Sequence, residues 1–159
     1  MHPLLQKVRP MKIMLLMLAM CFPSLALATS AVPKPLEEMV READLVVVAR
    51  IASVDMVDGR GRPVTDRDTR TGPGLSNQMR FNLEIKEVLL ARTKPTPRTL
   101  RVPLWQAWHY ILGTMQDDLT GATGIFLLKG DAHEPVYPAG FQRSLNERAE
   151  IVKLLGTAP

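Results

Sequence analysis

"MRFNLEIKEVLL", residues 79–90, alternates strictly at first: Met79, Phe81, Leu83 and Ile85 fall on one side, Arg80, Asn82, Glu84 and Lys86 on the other. That is the period of a strand with one buried face. The phase then slips, because Val88 and Leu90 are apolar on the even count. One extra residue between Ile85 and Val88 accounts for the slip, and a β-bulge there bends the strand as a barrel corner requires. A bent strand of this kind predicts a closed antiparallel sheet.

Upstream, "DLVVVARIASVDMV" (44–57) opens with three valines and later admits Arg50, Ser53 and Asp55, as a strand does when it leaves a core. Before it, "PLEEMVREAD" (35–44) puts Pro35 at a helix start, Glu37 and Glu38 in the first turn, and Leu36, Met39, Val40 and Ala43 at helical spacing. A short N-terminal helix follows from that pattern. Residues 58–78 carry four Gly, two Pro, four Arg and three Asp, with Val64 and Leu75 as the large apolar side chains. The expectation is a long mobile loop with nothing to anchor it to a core.

Downstream, "TLRVPLW" (99–105) turns Leu100, Val102 and Leu104 inward, and Pro103 restricts it to an edge or a bulge. "GATGIFLLKGD" (121–131) contains a continuous apolar run, Ile125 to Leu128, that suits a fully buried strand. "SLNERAEIVKLLG" (144–156) begins with a capping box, Ser144 and Glu147, and Gly156 marks its expected end. Leu145, Ala149, Val152 and Leu155, flanked by Ile151 and Leu154, form the stripe of a helix that covers the barrel.

The N-terminus reads as a leader. Lys7, Arg9 and Lys12 precede an apolar run from Ile13 to Phe22 that is about half the length of a membrane span, and Ala26-Leu27-Ala28 offers a signal-peptidase site. Cleavage is expected between Ala28 and Thr29, with translation starting at Met11. The alternative is lipid attachment at Cys21, although Met20 stands where a small residue is needed. Of 20 Lys+Arg in the chain the leader holds three, so 17 face 16 Asp+Glu in residues 29–159. The remaining chain is nearly neutral, which removes the charge argument for a nucleic-acid partner. The single cysteine also lies in the leader, so the remainder forms no disulfide. Export without disulfides points to a bacterial periplasm or secretion, with membrane contact only transient, through the leader.

The segments "EADLVVVARIASV", "RFNLEIKEVLLA", "TLRVPLW" and "GIFLLKGD" together resemble the strand sequence of the netrin-like, tissue-inhibitor-of-metalloproteinase-like group of small secreted OB-like barrels, over about residues 43–131. The resemblance implies a small OB-like antiparallel barrel, an α+β chain that is mainly β with flanking helices. The group's inhibitory members reach a protease zinc with an N-terminal cysteine. Here the exported chain begins at Thr29 and has none.

Expected organisation is therefore a signal peptide at 1–28, a lead-in at 29–34, one domain at 35–156 and a tail at 157–159. "WQAWHY" (105–110) concentrates three of the seven aromatics of residues 29–159. Trp105, Gln106, Trp108, His109 and Tyr110 are the candidate ligand-binding residues, as an aromatic platform for a glycan, a peptide or a lipid head group, and with the 58–78 loop they form the expected surface for an envelope protein, a peptide or a glycan. Aromatics at strand ends are commonly packing residues, and closing one end of the barrel is the commoner role for such a cluster.

His109 and His133 lack the spacing of a zinc helix, and a site joining them to Asp117, Asp118 or Glu134 needs convergence in space. Asp66-Arg67-Asp68 opens like a calcium loop, but Arg70 replaces the third ligand. No nucleophile elbow or phosphate loop is present, so no catalytic residue, cofactor or metal is assigned. The expectation is a non-enzymatic periplasmic binding module; the alternatives are a periplasmic enzyme or protease inhibitor, and a lipid-anchored structural envelope protein.

Overall fold

A computed structural model describes residues 32–92 and 95–157 of the chain. The expected leader, the Ala28–Thr29 cleavage point and Cys21 lie outside the described residues. Among the described residues three α-helices and six strands follow in the order α1 (Leu36–Glu42), β1 (Leu45–Val57), β2 (Gln78–Ala91), β3 (Thr99–Pro103), α2 (Leu112–Leu119), β4 (Thr123–Lys129), β5 (Glu134–Pro135), β6 (Gln142–Arg143) and α3 (Arg148–Thr157). The class is α+β, dominated by one antiparallel sheet. Its strand order is β3-β2-β1-β4-β5, with β6 added beside β5 along the outer edge of β4.

The expected bulge is present. Ala49 pairs with Ile85 and Val48 with Glu87, so Lys86 is the unopposed residue. A second slip sets Leu89 apart, and a third, on β1, sets Ala52 apart. Three irregularities along one strand pair coil β1 and β2 strongly. Val88 nevertheless ends 46% exposed, because the second bulge returns Leu89 and Leu90 to the core side.

One face carries Val47, Ala49, Ile51, Phe81, Leu83, Val102 and Phe126, and Val46, Ile125 and Leu127 are buried on the other. Phe81, Phe126 and Phe141 gather with ring centroids 6.3–6.4 Å apart. Burial of each such side chain stabilises the fold by about 1.5–3 kcal/mol. On the outer face Asp55 accepts from Arg80 Nε at 2.6 Å and from the Asn82 amide at 2.8 Å, and Arg101 Nε donates to Asn82 Oδ1 at 3.1 Å. That polar row crosses β1, β2 and β3 and fixes their register from outside.

The ladder does not close into the expected barrel. Ile85 N–H donates to Arg98 C=O and Leu104 N–H to Met79 C=O, so even-numbered residues of β3 face β2 and odd-numbered ones face outward. Val136 N–H donates to Leu127 C=O, which likewise turns Pro135 outward from β4. The edges of β3 and β5 come near each other, yet Pro103 and Pro135 lack the N–H groups a closing ladder would use. Pro103 thus ends an edge strand, as its position in the sequence predicts.

Two further expectations shift. Ser144 does cap, accepting from Asn146 N–H while Glu147 accepts from Ser144 N–H. The first turn, Leu145–Glu147, is a 3-10 turn, which advances about 120° per residue against about 100° in an α-helix. That takes Leu145 off the line of the helix stripe, and within α3 the contact face is Ile151, Leu154 and Leu155, leaving Ala149 and Val152 exposed with Leu145. The helix also passes Gly156 and ends at Thr157, whose hydroxyl donates to Leu154 C=O at 3.0 Å. Helix α2 is absent from the sequence expectation, as are the two-residue strands β5 and β6. Leu112, Met115 and Leu119 do stand at helical spacing there, and Gln116 Nε2 donates to Val54 C=O of β1 at 3.0 Å. No helix among the described residues is long and apolar enough to cross a membrane.

Candidate functional site

The loop between β1 and β2 is tethered, and its tethering builds the site. Asp58 starts it, one carboxylate oxygen accepting from the backbone N–H groups of Arg60 and Arg62 while the other takes Arg62 Nε at 2.7 Å. Val64 N–H then donates to Met56 C=O, and the Val64 side chain packs on the core. At Thr71 the chain docks on the aromatic segment. Thr71 is fully buried, its hydroxyl donating to Trp108 C=O at 2.6 Å and accepting from Tyr110 N–H at 3.1 Å. Around it Thr71 N–H donates to Tyr110 C=O, Leu112 N–H to Thr69 C=O and Gly113 N–H to Arg67 C=O. Residues 69–71 and 110–112 thus form a short antiparallel bridge. The expectation that nothing in 58–78 anchors to the core fails at Val64 and Thr71, because backbone pairing with a distant segment leaves no trace in side-chain composition.

Gly72 explains one position in that bridge. Its φ is +153°, and a Cβ there would lie 2.7 Å from His109 Nδ1. The imidazole packs directly on the glycine, so His109 is exposed yet occupied in holding the loop. Arg67 adds an exposed ion pair to Asp117 of α2 at 2.6 Å, worth at most about 1 kcal/mol.

The five candidate residues part company on this scaffold. Trp105 and Gln106 line a cleft of about 520 Å³, whose far wall is Pro73, Gly74 and Leu75 of the tethered loop and whose floor includes Gln78, Leu104 and Pro135. Trp108 and Tyr110 line a neighbouring hollow of about 340 Å³ with Phe81, Met115 and Phe141. Leu104 and Pro138 separate and share the two. The rings still touch in series: Trp105 and Trp108 meet at 5.6 Å and 64°, Trp108 and Tyr110 at 6.1 Å and 60°. Edge-to-face contact of this kind holds the half-exposed Trp105 in one orientation. Burial raises the Tyr110 hydroxyl to about 12, so it stays a neutral group.

Sequence reasoning placed the 58–78 loop beside the aromatic segment but missed Gln78, Glu134 and the prolines of the cleft. Gln78 Nε2 is spent on Leu104 C=O at 2.6 Å and Met79 C=O at 2.9 Å. Gln106 and Glu134 reach the same cleft with side chains free of hydrogen bonds among the described residues. Gln106 stood among the candidates through its place in the aromatic segment, whereas Gln78 and Glu134 gave no signal, each being one polar residue at the edge of a connection.

The histidines and carboxylates do not assemble. His133 sits in the β4–β5 turn at φ 53° beside Asp44 and Arg92, while Glu134, its neighbour, faces the Trp105 cleft. No three His, Cys, Asp or Glu side chains gather among the described residues. Comparison with protein-family models, with curated proteins and with solved structures found no match for the chain.

Proposed function

We propose that this chain is an exported periplasmic binding module, non-enzymatic, built on an OB-like barrel left open along the seam between β3 and β5. The observation that carries the reading is the cleft of about 520 Å³ beside Trp105, a size suited to a small ligand or a short segment of a larger one. Its walls are prepared in advance. Trp105 is braced by Trp108, and the opposing loop is held by Thr71. Pre-organised walls lower the ordering cost of binding. His109, which packs on Gly72, and Asp117, which pairs with Arg67, have structural partners, so the reading rests on recognition and not on chemistry.

The test uses Trp108→Phe, which leaves Trp105 as the reporter. Fractionated periplasmic extract is titrated into it, and a saturable change in tryptophan emission in one fraction, together with a melting shift of the unaltered chain in that fraction that Trp105→Ala lacks, supports the module. Emission and melting that respond to no fraction would refute it. Export is checked separately by expressing the whole chain in a bacterial host. An osmotic-shock fraction whose N-terminus is Thr29 supports cleavage, and an intact leader in the cytosol contradicts it. Palmitate-analogue labelling that disappears with Cys21→Ser would instead place the chain on a lipid anchor.

A further inference from the structure

We propose that the Trp105 cleft takes a neutral saccharide; this deepens the binding-module reading and rests on it. The argument begins with what the cleft withholds. Its lining holds no Lys, Arg or His, so it offers an anionic ligand no counter-charge, and Glu134 repels one. Its two strand-edge walls present Pro103 and Pro135 with their backbones turned toward the gap. A peptide entering as an added strand needs backbone donors on one of those edges, and at both positions the donor is missing. Main-chain recognition of a peptide is therefore blunted on both sides, and side chains must do the recognising.

The side chains present suit hydroxyls on an apolar ring. Trp105 offers a fixed indole beside Leu75 and Leu104, against which the C–H face of a sugar buries its apolar surface. Gln106 supplies both a donor and an acceptor, and Glu134 supplies acceptors. Neither side chain is engaged by the described residues. Vicinal hydroxyls need this mixture, because each both donates and accepts. A rigid stacking face with two unspent polar groups around it orients a ring without requiring any charge on the ligand.

The probes are cellotetraose, maltotetraose and chitotetraose, with a short lysine-bearing proline-rich peptide as the rival that would stack on Trp105 in another way. Binding to the purified protein is read by calorimetry and by tryptophan emission. The expected result is saturable binding of at least one saccharide in the micromolar to millimolar range, weakened by about tenfold or more in Trp105→Ala and by a smaller factor in Gln106→Ala. Gln106→Ala keeps the test alive if the tryptophan variant melts early. Peptide binding that depends on Trp105, with no saccharide bound, overturns the saccharide and leaves the binding module standing. Saccharide binding unchanged in both variants removes it from this cleft. If neither class binds, the saccharide proposal fails, and the extract titration decides separately whether the module reading fails with it.

Discussion

Thr71 is the residue on which the cleft depends, because it satisfies two backbone groups of the aromatic segment from inside the fold. Replacing it with valine keeps the shape and leaves Trp108 C=O and Tyr110 N–H without that partner. We expect Thr71→Val to lower unfolding free energy by about 2–3 kcal/mol in urea titration, with Thr71→Ser costing far less; equal losses would assign the effect to packing. Tyr110 gives a second reading of the same contact. Burial holds its hydroxyl at a pKa of about 12, above the ordinary phenol value of 10.0. The stability this contributes is complete below pH 10 and is lost as pH rises toward 12. Absorbance at 295 nm should show a phenolate component near pH 12 that vanishes in Tyr110→Phe, whereas complete ionisation by pH 10.5 would mean that the ring is not buried. Trp105 and Tyr110 were legible as candidates from their clustering alone. That they face different hollows was not, since a turn at Trp105–Trp108 divides them.

At the scale of elements, β1 to β4 followed from alternation or from short apolar runs, and the two-residue β5 and β6 did not. The slip between Ile85 and Val88 located the Lys86 bulge to within a residue, because a change of apolar phase has almost no other cause in a strand. Helix α3 shows the limit of that method. Its cap was readable in Ser144 and Glu147, but two apolar lines adjoin on the helix and spacing alone does not say that Ile151, Leu154 and Leu155, and not Val152, meet the core. The correction makes a paired prediction: Ile151→Ala, from a fully buried position, should cost about 2–4 kcal/mol, and Val152→Ala, from one 42% exposed, under about 0.5. The reverse order in thermal or urea melts would restore the face expected from the α-helical period. Helix α2 escaped notice because eight residues hold two turns of pattern, and Asp117-Asp118 drew attention to charge.

For the whole molecule, the closed barrel implied by the strand order gives way to a sheet with a seam, and the two prolines that open the seam stand beside the cleft. Pro103 was visible as a strand terminator, but its partner across the gap was not, since β5 is only two residues long and is held by pairing with β4. The loop 58–78 carries the same lesson: composition showed that it lacks a core of its own, and only the fold shows that residues 69–71 borrow one from 110–112. The central claim is that this borrowed bridge fixes the wall of a ready-made cleft. Amide hydrogen exchange at Thr71, Tyr110, Leu112 and Gly113 tests it most directly. The account predicts slowing of about a hundredfold or more relative to unstructured chain, as for amides that open only with the surrounding structure. Exchange at these four amides as fast as in an unfolded peptide, while Phe81 and Leu127 remain protected, would show a free loop and no preformed cleft.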